Sequence, residues 1–269
     1  MSIYKNNNIQ QHYDQLLARQ YTWVFGDIQS KVEENIILFH SLGLGNGAGA
    51  LAVDLGCGPG YHSLALSKLG YEVVAIDTSE ALLNELISND EGKKIKTVRG
   101  DLRKIRDIVG CPANLVFCMG DTISLLDSYL DMTELLMNIR QCLYGKGRFI
   151  LSFRDQTRAL GGGDRILPIK NERDRVFTCL LEYEKDKIGV TDVLYQFADG
   201  KWSLEKSSYK KIRVFSEKLE AIISEVGFKI VQKDEKNGFV TLVMEGNSGM
   251  KFQSRSCYRR ATEKGYSEF

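Results

Sequence analysis

Three glycines and three aspartates carry most of the chemical information in this sequence. The stretch "ALAVDLGCGPGYHSLAL", residues 50–66, is an apolar run reaching Asp54; it then passes Gly56, Gly58 and Gly60 and resumes as a helix-like segment. Glycines between a buried strand and a helix let a ligand approach the backbone closely. Two more aspartates stand at comparable places: Asp77 closes "YEVVAID", and Asp101 follows "KIKTVRG", with Leu102 beside it. A lone aspartate at a strand end is ordinarily a helix cap. Three of them around one glycine turn describe a site, because open α/β sheets bind ligands at the carboxyl ends of their strands.

Charge decides which ligand suits those residues. A dinucleotide site uses G-x-G-x-x-G, and here Tyr61 stands where the third glycine belongs. Asp54 is also badly placed for a pyrophosphate, which it would repel. An ammonium or sulfonium group suits it, and S-adenosylmethionine (SAM) carries both and no phosphate. Asp77 is placed to accept two ribose hydroxyls, a feature that fits NAD equally well. Asp101 could accept a hydrogen bond from an adenine amino group, with Leu102 packed beside the ring.

The elements that must hold these residues follow from periodicity. Residues 9–42 have helical apolar spacing, with Ser30 and Glu33 in a capping-box arrangement that predicts a helix start. After the glycine-rich "GLGNGAGA", strand, turn and helix repeat: "ALAVDL", "YEVVAID", "KIKTVRGD", "PANLVFCMGD" and "RFILSFRD" read as five strands alternating with helices. That order predicts a parallel sheet covered on both faces. "VFTCLLEYE", "GVTDVLYQFADGKWSLEKSSY" and "KKIRVF" read as antiparallel strands with an Asp-Gly turn. A helix, "SEKLEAIISEVG", and a hairpin, "FKIVQKD" with "GFVTLVME", close the pattern. The expected organisation is a helical cap (1–45), a Rossmann-like sheet domain (46–155 and 215–246), an inserted antiparallel lobe (156–214) and a C-terminal tail (247–269).

Composition narrows the partners. With 36 basic and 35 acidic residues the formal net charge is +1, so nothing draws the chain as a whole to nucleic acid or anionic lipid. No apolar run approaches the ~18 residues of a membrane span. The polar N-terminal stretch does not resemble a signal peptide. The six cysteines form no CxxC pair and no zinc spacing, and read as reduced thiols of a cytoplasmic protein. No metal is expected, since Asp121 and Asp155 alone do not make a magnesium site.

In order and spacing, "VDLGCGPG", "VVAID", "VRGDL" and "LVFCMGDTISLL" resemble the motifs of class I SAM-dependent methyltransferases over roughly residues 9–245. The resemblance implies a Rossmann-like seven-stranded, mostly parallel sheet with an antiparallel last strand. It implies that Gly56, Gly58 and Gly60 line the methionine part of SAM, Asp54 its amino group through a water, Asp77 the ribose, and Asp101 with Leu102 the adenine. The segment Cys118 to Thr122 would face the methyl group, which makes Cys118 a further cofactor contact. It is neither the Asn/Asp-Pro-Pro-Tyr/Phe signature of base and glutamine methylation nor a Pro-Cys pair. "GDTISLL" and the antiparallel insertion resemble instead the glycine and sugar-amine N-methyltransferase branch.

The expected function is therefore methyl transfer to an N or O atom of a small-molecule acceptor. Three alternatives remain open: a protein or RNA acceptor helped by Arg255, Arg259 and Arg260, a SAM-binding protein without turnover, and an NAD(P)-linked oxidoreductase. Candidates for acceptor contact or catalysis are Arg154 and Tyr21, followed by Tyr13, Trp23, Tyr183, Tyr195 and Tyr209. His62 opens the helix after the glycine turn and is either a site residue or a packing residue. Oligomeric state is not legible in the sequence.

Overall fold

The computed structural model describes residues 7–110 and 112–246. Its N-terminal segment comprises α1 (Asn7–His12), a π-helical turn (Tyr13–Leu17), α2 (Ala18–Phe25) and α3 (Ile28–Ser41). Gly26, at φ 119°, breaks the path between α2 and α3. The cap of α3 is Asp27, whose carboxylate accepts from Ser30 N at 2.9 Å, in place of the expected Ser30. Ser30 already lies within the first helical turn, where it donates its N–H to the cap.

The alternating region folds into β1 (Leu51–Leu55), α4 (Tyr61–Lys68), β2 (Glu72–Asp77), α5 (Glu80–Asn89), β3 (Ile95–Arg99), α6 (Ile105–Val109), β4 (Ala113–Cys118), α7 (Tyr129–Cys142) and β5 (Leu143–Arg154). The lobe contributes β6 (Ile166–Asn171), β7 (Arg175–Tyr183), β8 (Lys187–Ala198) and β9 (Lys201–Ile212), and the chain returns through α8 (Ser216–Glu225), β10 (Lys229–Lys236) and β11 (Phe239–Glu245). One sheet has the order β10-β11-β5-β4-β1-β2-β3. Within it β1 to β5 run parallel, and β11 pairs antiparallel with β5. The expected seven-stranded, mostly parallel sheet with an antiparallel last strand is therefore present.

Strand alternation sorts the core. Leu51, Val53 and Leu55 face α6, α7 and α8, whereas Ala52 faces α3, α4 and α5 with Phe39, Leu66 and Phe117. Asp54 shares the parity of Ala52, so its carboxylate enters the α4 side. The order of strands reverses between β1 and β4, and the glycine turn leaves β1 at that crevice, the usual ligand position of such sheets.

The lobe is a separate four-stranded antiparallel sheet, β6-β7-β8-β9. Two details differ from expectation. Strand β6 is one, since it is not among the expected strands; it is an edge with a register shift between Pro168 and Lys170, where proline is tolerated. The other is "KKIRVF", which is not an independent strand, because β9 runs through to Ile212 and Arg213 then turns back to the sheet. The Arg213 guanidinium donates to the carbonyls of Gln156 (2.9 Å) and Thr157 (3.0 Å). Among the described residues no helix is long and apolar enough to cross a membrane, and Cys57, Cys118 and Cys179 are buried free thiols. The tail (247–269) with Arg255, Arg259 and Arg260, and Cys111, lie outside the described residues.

Candidate functional site

A cavity of about 260 Å³ opens at the carboxyl ends of β1, β2 and β3. Its floor holds Gly56, Gly58 and Asp77, one end holds Asp101, Leu102 and Arg103, and Tyr13 and Tyr21 of the N-terminal segment cover it. Of these, all but Arg103 are candidates from the sequence. Gly100 and Leu126 also face the cavity and, like Arg103, escape a reading of the sequence.

The three glycines do three different things. A Cβ on Gly56 would stand 2.3 Å from Thr122 Cγ2, so this position lets the loop after β4 close against the turn. Gly58 faces Tyr21, whose hydroxyl is 3.8 Å from where a Cβ would sit. Gly60 lies behind the wall at φ 89°, and a Cβ there would overlap Leu86 Cδ1 at 2.2 Å. It caps α4 and fits that helix against α5, as a packing residue rather than a wall residue.

Asp77 organises the turn as well as facing the cavity. Its Oδ2 accepts from Gly58 N at 2.9 Å and its Oδ1 from Ser79 N at 2.8 Å. Burial raises its pKa, opposed by those two backbone bonds. Each carboxylate oxygen has further acceptor capacity, so both remain able to accept hydroxyl donors from the cavity.

Asp54 is 1% exposed and does not reach the cavity wall. Its Oδ2 accepts from Ser63 Oγ at 2.6 Å, while Oδ1 is buried without a hydrogen-bond partner. Burial pushes its pKa up to about 6, against the opposing Ser63 hydrogen bonds. A buried carboxylate oxygen left unpaired costs free energy on the order of 1–3 kcal/mol. It identifies a place where a donor, direct or through water, would be stabilised.

At the far end the geometry departs from expectation. Asp101 faces the cavity, but Arg103 occupies its carboxylate, with Nη2 at 2.6 Å from Oδ2 and Nε at 3.0 Å from Oδ1. Arg103 N also donates to Oδ1 at 2.9 Å, so Asp101 caps the turn Leu102–Lys104. Burial raises the pKa of Asp101, but the Arg103 hydrogen bonds and charge outweigh it and hold the carboxyl below its ordinary range. Arg103 also reaches Asp131 (3.2 Å) and Asp127 (3.6 Å). The signal for this residue lies in "GDLRK", two positions after the aspartate.

The remaining candidates separate into those near the cavity and those elsewhere. Cys118 is fully buried in the core at the end of β4 and does not line the cavity. Arg154 is exposed, its guanidinium 5.6 Å from the centre of the Phe239 ring, away from the cavity wall. His62 packs beside Phe39, with burial lowering its pKa to about 4. Trp23 stacks under Arg175 (4.3 Å) and Tyr183 donates to Gln156 Oε1 (3.3 Å). Tyr195 is exposed. Asp121 pairs with Lys211, and Asp155 caps the start of α8 by accepting from Ser216 N at 3.0 Å. Among the described residues no cluster of three His, Cys, Asp or Glu could hold a metal.

Comparison with known proteins places this architecture. Residues 52–147 match a family model described as "Methyltransferase domain". The chain is 30% identical over 117 residues to the glycine/sarcosine N-methyltransferase of Parasynechococcus marenigrum (strain WH8102), covering 42% of this chain and 41% of that one. It is 30% identical over 132 residues to a cypemycin N-terminal methyltransferase of Streptomyces sp, covering 48% of this chain and 53% of that one. The chain thus spans about half or less of the curated relatives it matches. Across almost its whole length it shares the fold of CalS10, an amino pentose methyltransferase of Micromonospora echinaspora solved with SAM bound: TM-score 0.67, 14% identity, covering 91% of this chain and 98% of that one. Residues 52–147 thus match a methyltransferase domain, and the chain as a whole has the fold of the SAM-bound methyltransferase CalS10.

Proposed function

We propose that the protein is an enzyme that transfers a methyl group from SAM to a nitrogen or oxygen of a small-molecule acceptor, in a reducing, cytoplasmic setting. The observation that carries this is the sign of the charge around the glycine turn. The groups there are carboxylates: Asp54 with an unpaired buried oxygen, and Asp77 with acceptor capacity to spare. These suit an ammonium and a ribose, and neither suits a pyrophosphate. The names of the relatives and the SAM-bound fold neighbour support the same cofactor.

SAM, when bound, would supply a methyl carbon activated by its sulfonium: the acceptor lone pair would bond to that carbon as the C–S bond breaks, with S-adenosylhomocysteine as the leaving group. The chain's contribution is mainly placement, which can lower the barrier of a two-reactant step by roughly 7–11 kcal/mol. Asp54 would hold the ammonium through a water bridged from its free Oδ1. Gly56 and Gly58 leave room for the backbone to lie against the methionine part. Asp77 would accept the ribose hydroxyls, and Leu102 and Leu126 would flank the adenine with Arg103 and Asp101 at its edge. Gly60 and Cys118 shape this floor from behind. Tyr13 and Tyr21 would exclude water from above; burial raises the pKa of each tyrosine first of all, so both are neutral donors at pH 7. Arg154 takes no catalytic part in this reading.

The division into cap (1–45), sheet domain (46–155 and 215–246), lobe (156–214) and tail (247–269) separates two roles, with the cofactor on the sheet and the acceptor under the lobe. A peptide amino group is a second acceptor class, favoured by the cypemycin relative. Incubation with SAM labelled in the methyl group, against panels of amines, phenols, sugars and short peptides, tests the proposal. Label transferred to one class identifies the acceptor. Binding of SAM with no transfer to any panel would make the chain a SAM-binding protein without turnover.

A further inference from the structure

Strand β8 presents Ile188, Val190, Asp192 and Leu194 in alternation toward the N-terminal segment, and all four are buried. Three of them are what a half-buried strand requires. The fourth is a carboxylate, 5% exposed, in an apolar row. Opposite it stands His12, the last residue of α1, which is fully buried. Its Nε2 lies 3.0 Å from Asp192 Oδ2, a close polar contact that falls short of aligned hydrogen-bond geometry. The His12 ring also packs on Tyr209 of β9, with centroids 4.6 Å apart. The Cys179 thiol, across the strands from Asp192, interacts with the same carboxylate.

Such a pair is poorly explained by stability. Desolvating two ionisable groups commonly costs as much as their attraction returns, and apolar replacements of similar size are often neutral or stabilising. The position explains it better. His12 immediately precedes the π-helical turn, a helical irregularity frequent at functional sites, and Tyr13, the first residue of that turn, faces the cavity beside Gly56, Asp77 and Tyr21. Beyond the turn, α2 is held to the sheet domain, through Thr22 on Glu85 and through Tyr61 Oη on the Gly26 carbonyl at 2.6 Å. Before it, His12 holds α1 to the lobe.

We propose that His12 and Asp192 are positioning residues: by fixing the end of α1 on β8, they set the π-helical turn so that Tyr13 closes over the cofactor cavity. The pair thereby joins the lobe to the cofactor lid. The proposal rests on the cavity being the SAM site. Neither residue touches the cavity, so their effect passes through Tyr13.

The test is titration of the full chain with S-adenosylhomocysteine, alongside thermal melting. His12→Leu combined with Asp192→Leu replaces both members of the pair, and its melting temperature is expected to stay at or above the wild-type value. A lower melting temperature is expected for Asp192→Leu alone, which leaves His12 buried without its carboxylate. The affinity of Asp192→Leu for S-adenosylhomocysteine is expected to fall at least ~10-fold, equivalent to about 1.4 kcal/mol. Asp192→Asn keeps an oxygen facing the ring and is expected to lose less than about threefold, a rescue that packing alone would not produce. On ligand addition, amide exchange over residues 9–17 should slow in the wild type and not in Asp192→Leu. If Asp192→Leu does not fold, His12→Leu combined with Asp192→Leu removes both members of the pair and carries the same expectation for affinity. A folded leucine variant that binds S-adenosylhomocysteine within twofold of wild type overturns the proposal. A wild-type protein that does not bind it overturns the SAM reading instead.

Discussion

Around the glycine turn, contacts are made by backbone and by close chain neighbours: Gly58 N on Asp77, Ser79 N on Asp77, Ser63 Oγ on Asp54. In the roof, side chains from distant elements meet: His12 on Asp192, Trp23 under Arg175, Leu16 and Leu17 against Phe177 and Leu194. The floor is thus fixed by the local path of a strand–turn–helix unit. The roof is fixed by which face of a separate sheet the N-terminal segment lands on. A rigid floor and a roof tethered from two sides suit a site that must grip its cofactor yet release it after each cycle.

If the floor is rigid, Gly60 is where it should fail most severely. Gly60→Ala places a side chain at φ 89° and against Leu86, and strain plus overlap should destabilise the fold by about 2–4 kcal/mol. Thermal melting reads the loss. A melting temperature equal to wild type would mean the floor is more pliable than its contacts indicate.

Asp77→Ala comes next. Removal of charge-assisted acceptors should weaken S-adenosylhomocysteine binding by roughly 2–4 kcal/mol, measured by calorimetry. Freeing the N–H groups of Gly58 and Ser79, both buried, should also cost stability, on the order of 1–3 kcal/mol, read by thermal melting. Equal affinity in a folded variant would remove the ribose role.

Asp54 probes the floor through pH. Its folded pKa of about 6 lies above the ordinary 3.8 because of burial, so the unliganded folded protein binds the extra proton. Stability should therefore fall as pH rises from about 4 to about 6, and the penalty should be complete above that window. Asp54→Asn should be more stable than wild type above pH 6, by roughly 1–3 kcal/mol. If Asp54 serves the ligand ammonium it must be ionised, so affinity should climb between about pH 5 and 7 in wild type and stay flat in Asp54→Asn. A flat wild-type profile would take Asp54 out of the site.

The smallest effect is expected at Arg154. It is exposed and lies off the cavity, so Arg154→Ala should change stability and cofactor affinity by less than about 0.5 kcal/mol. A large loss of affinity would show that the floor extends along β5 farther than the cavity does.

Floor and roof also differ in how far the sequence discloses them. The floor is legible because its signals are local: an apolar run, glycines at fixed offsets and aspartates at strand ends. Even there, the roles are only partly legible. Gly60 is aimed at Leu86, and Asp101 is taken by an arginine two residues on, because both facts depend on neighbours in space. Arg154 and Cys118 attract attention by standing next to strand ends, where alternate residues point to opposite faces. The lobe is legible as antiparallel strands, but β6 is masked by Pro168, which only an edge position permits. His12 and Asp192 are illegible: each reads as an ordinary polar residue until β8 is laid against α1. The carboxylate interrupting the apolar row of "KIGVTDVL" is the one available sign.

Whether the cavity beside the glycine turn is a SAM site is decided by parallel calorimetric titrations with SAM, S-adenosylhomocysteine, NAD and NADP. The carboxylates of the turn lead to micromolar-range binding of SAM and its demethylated product, on the order of −8 kcal/mol, and far weaker binding of both dinucleotides. Tight binding of NAD or NADP with no response to SAM would contradict that assignment.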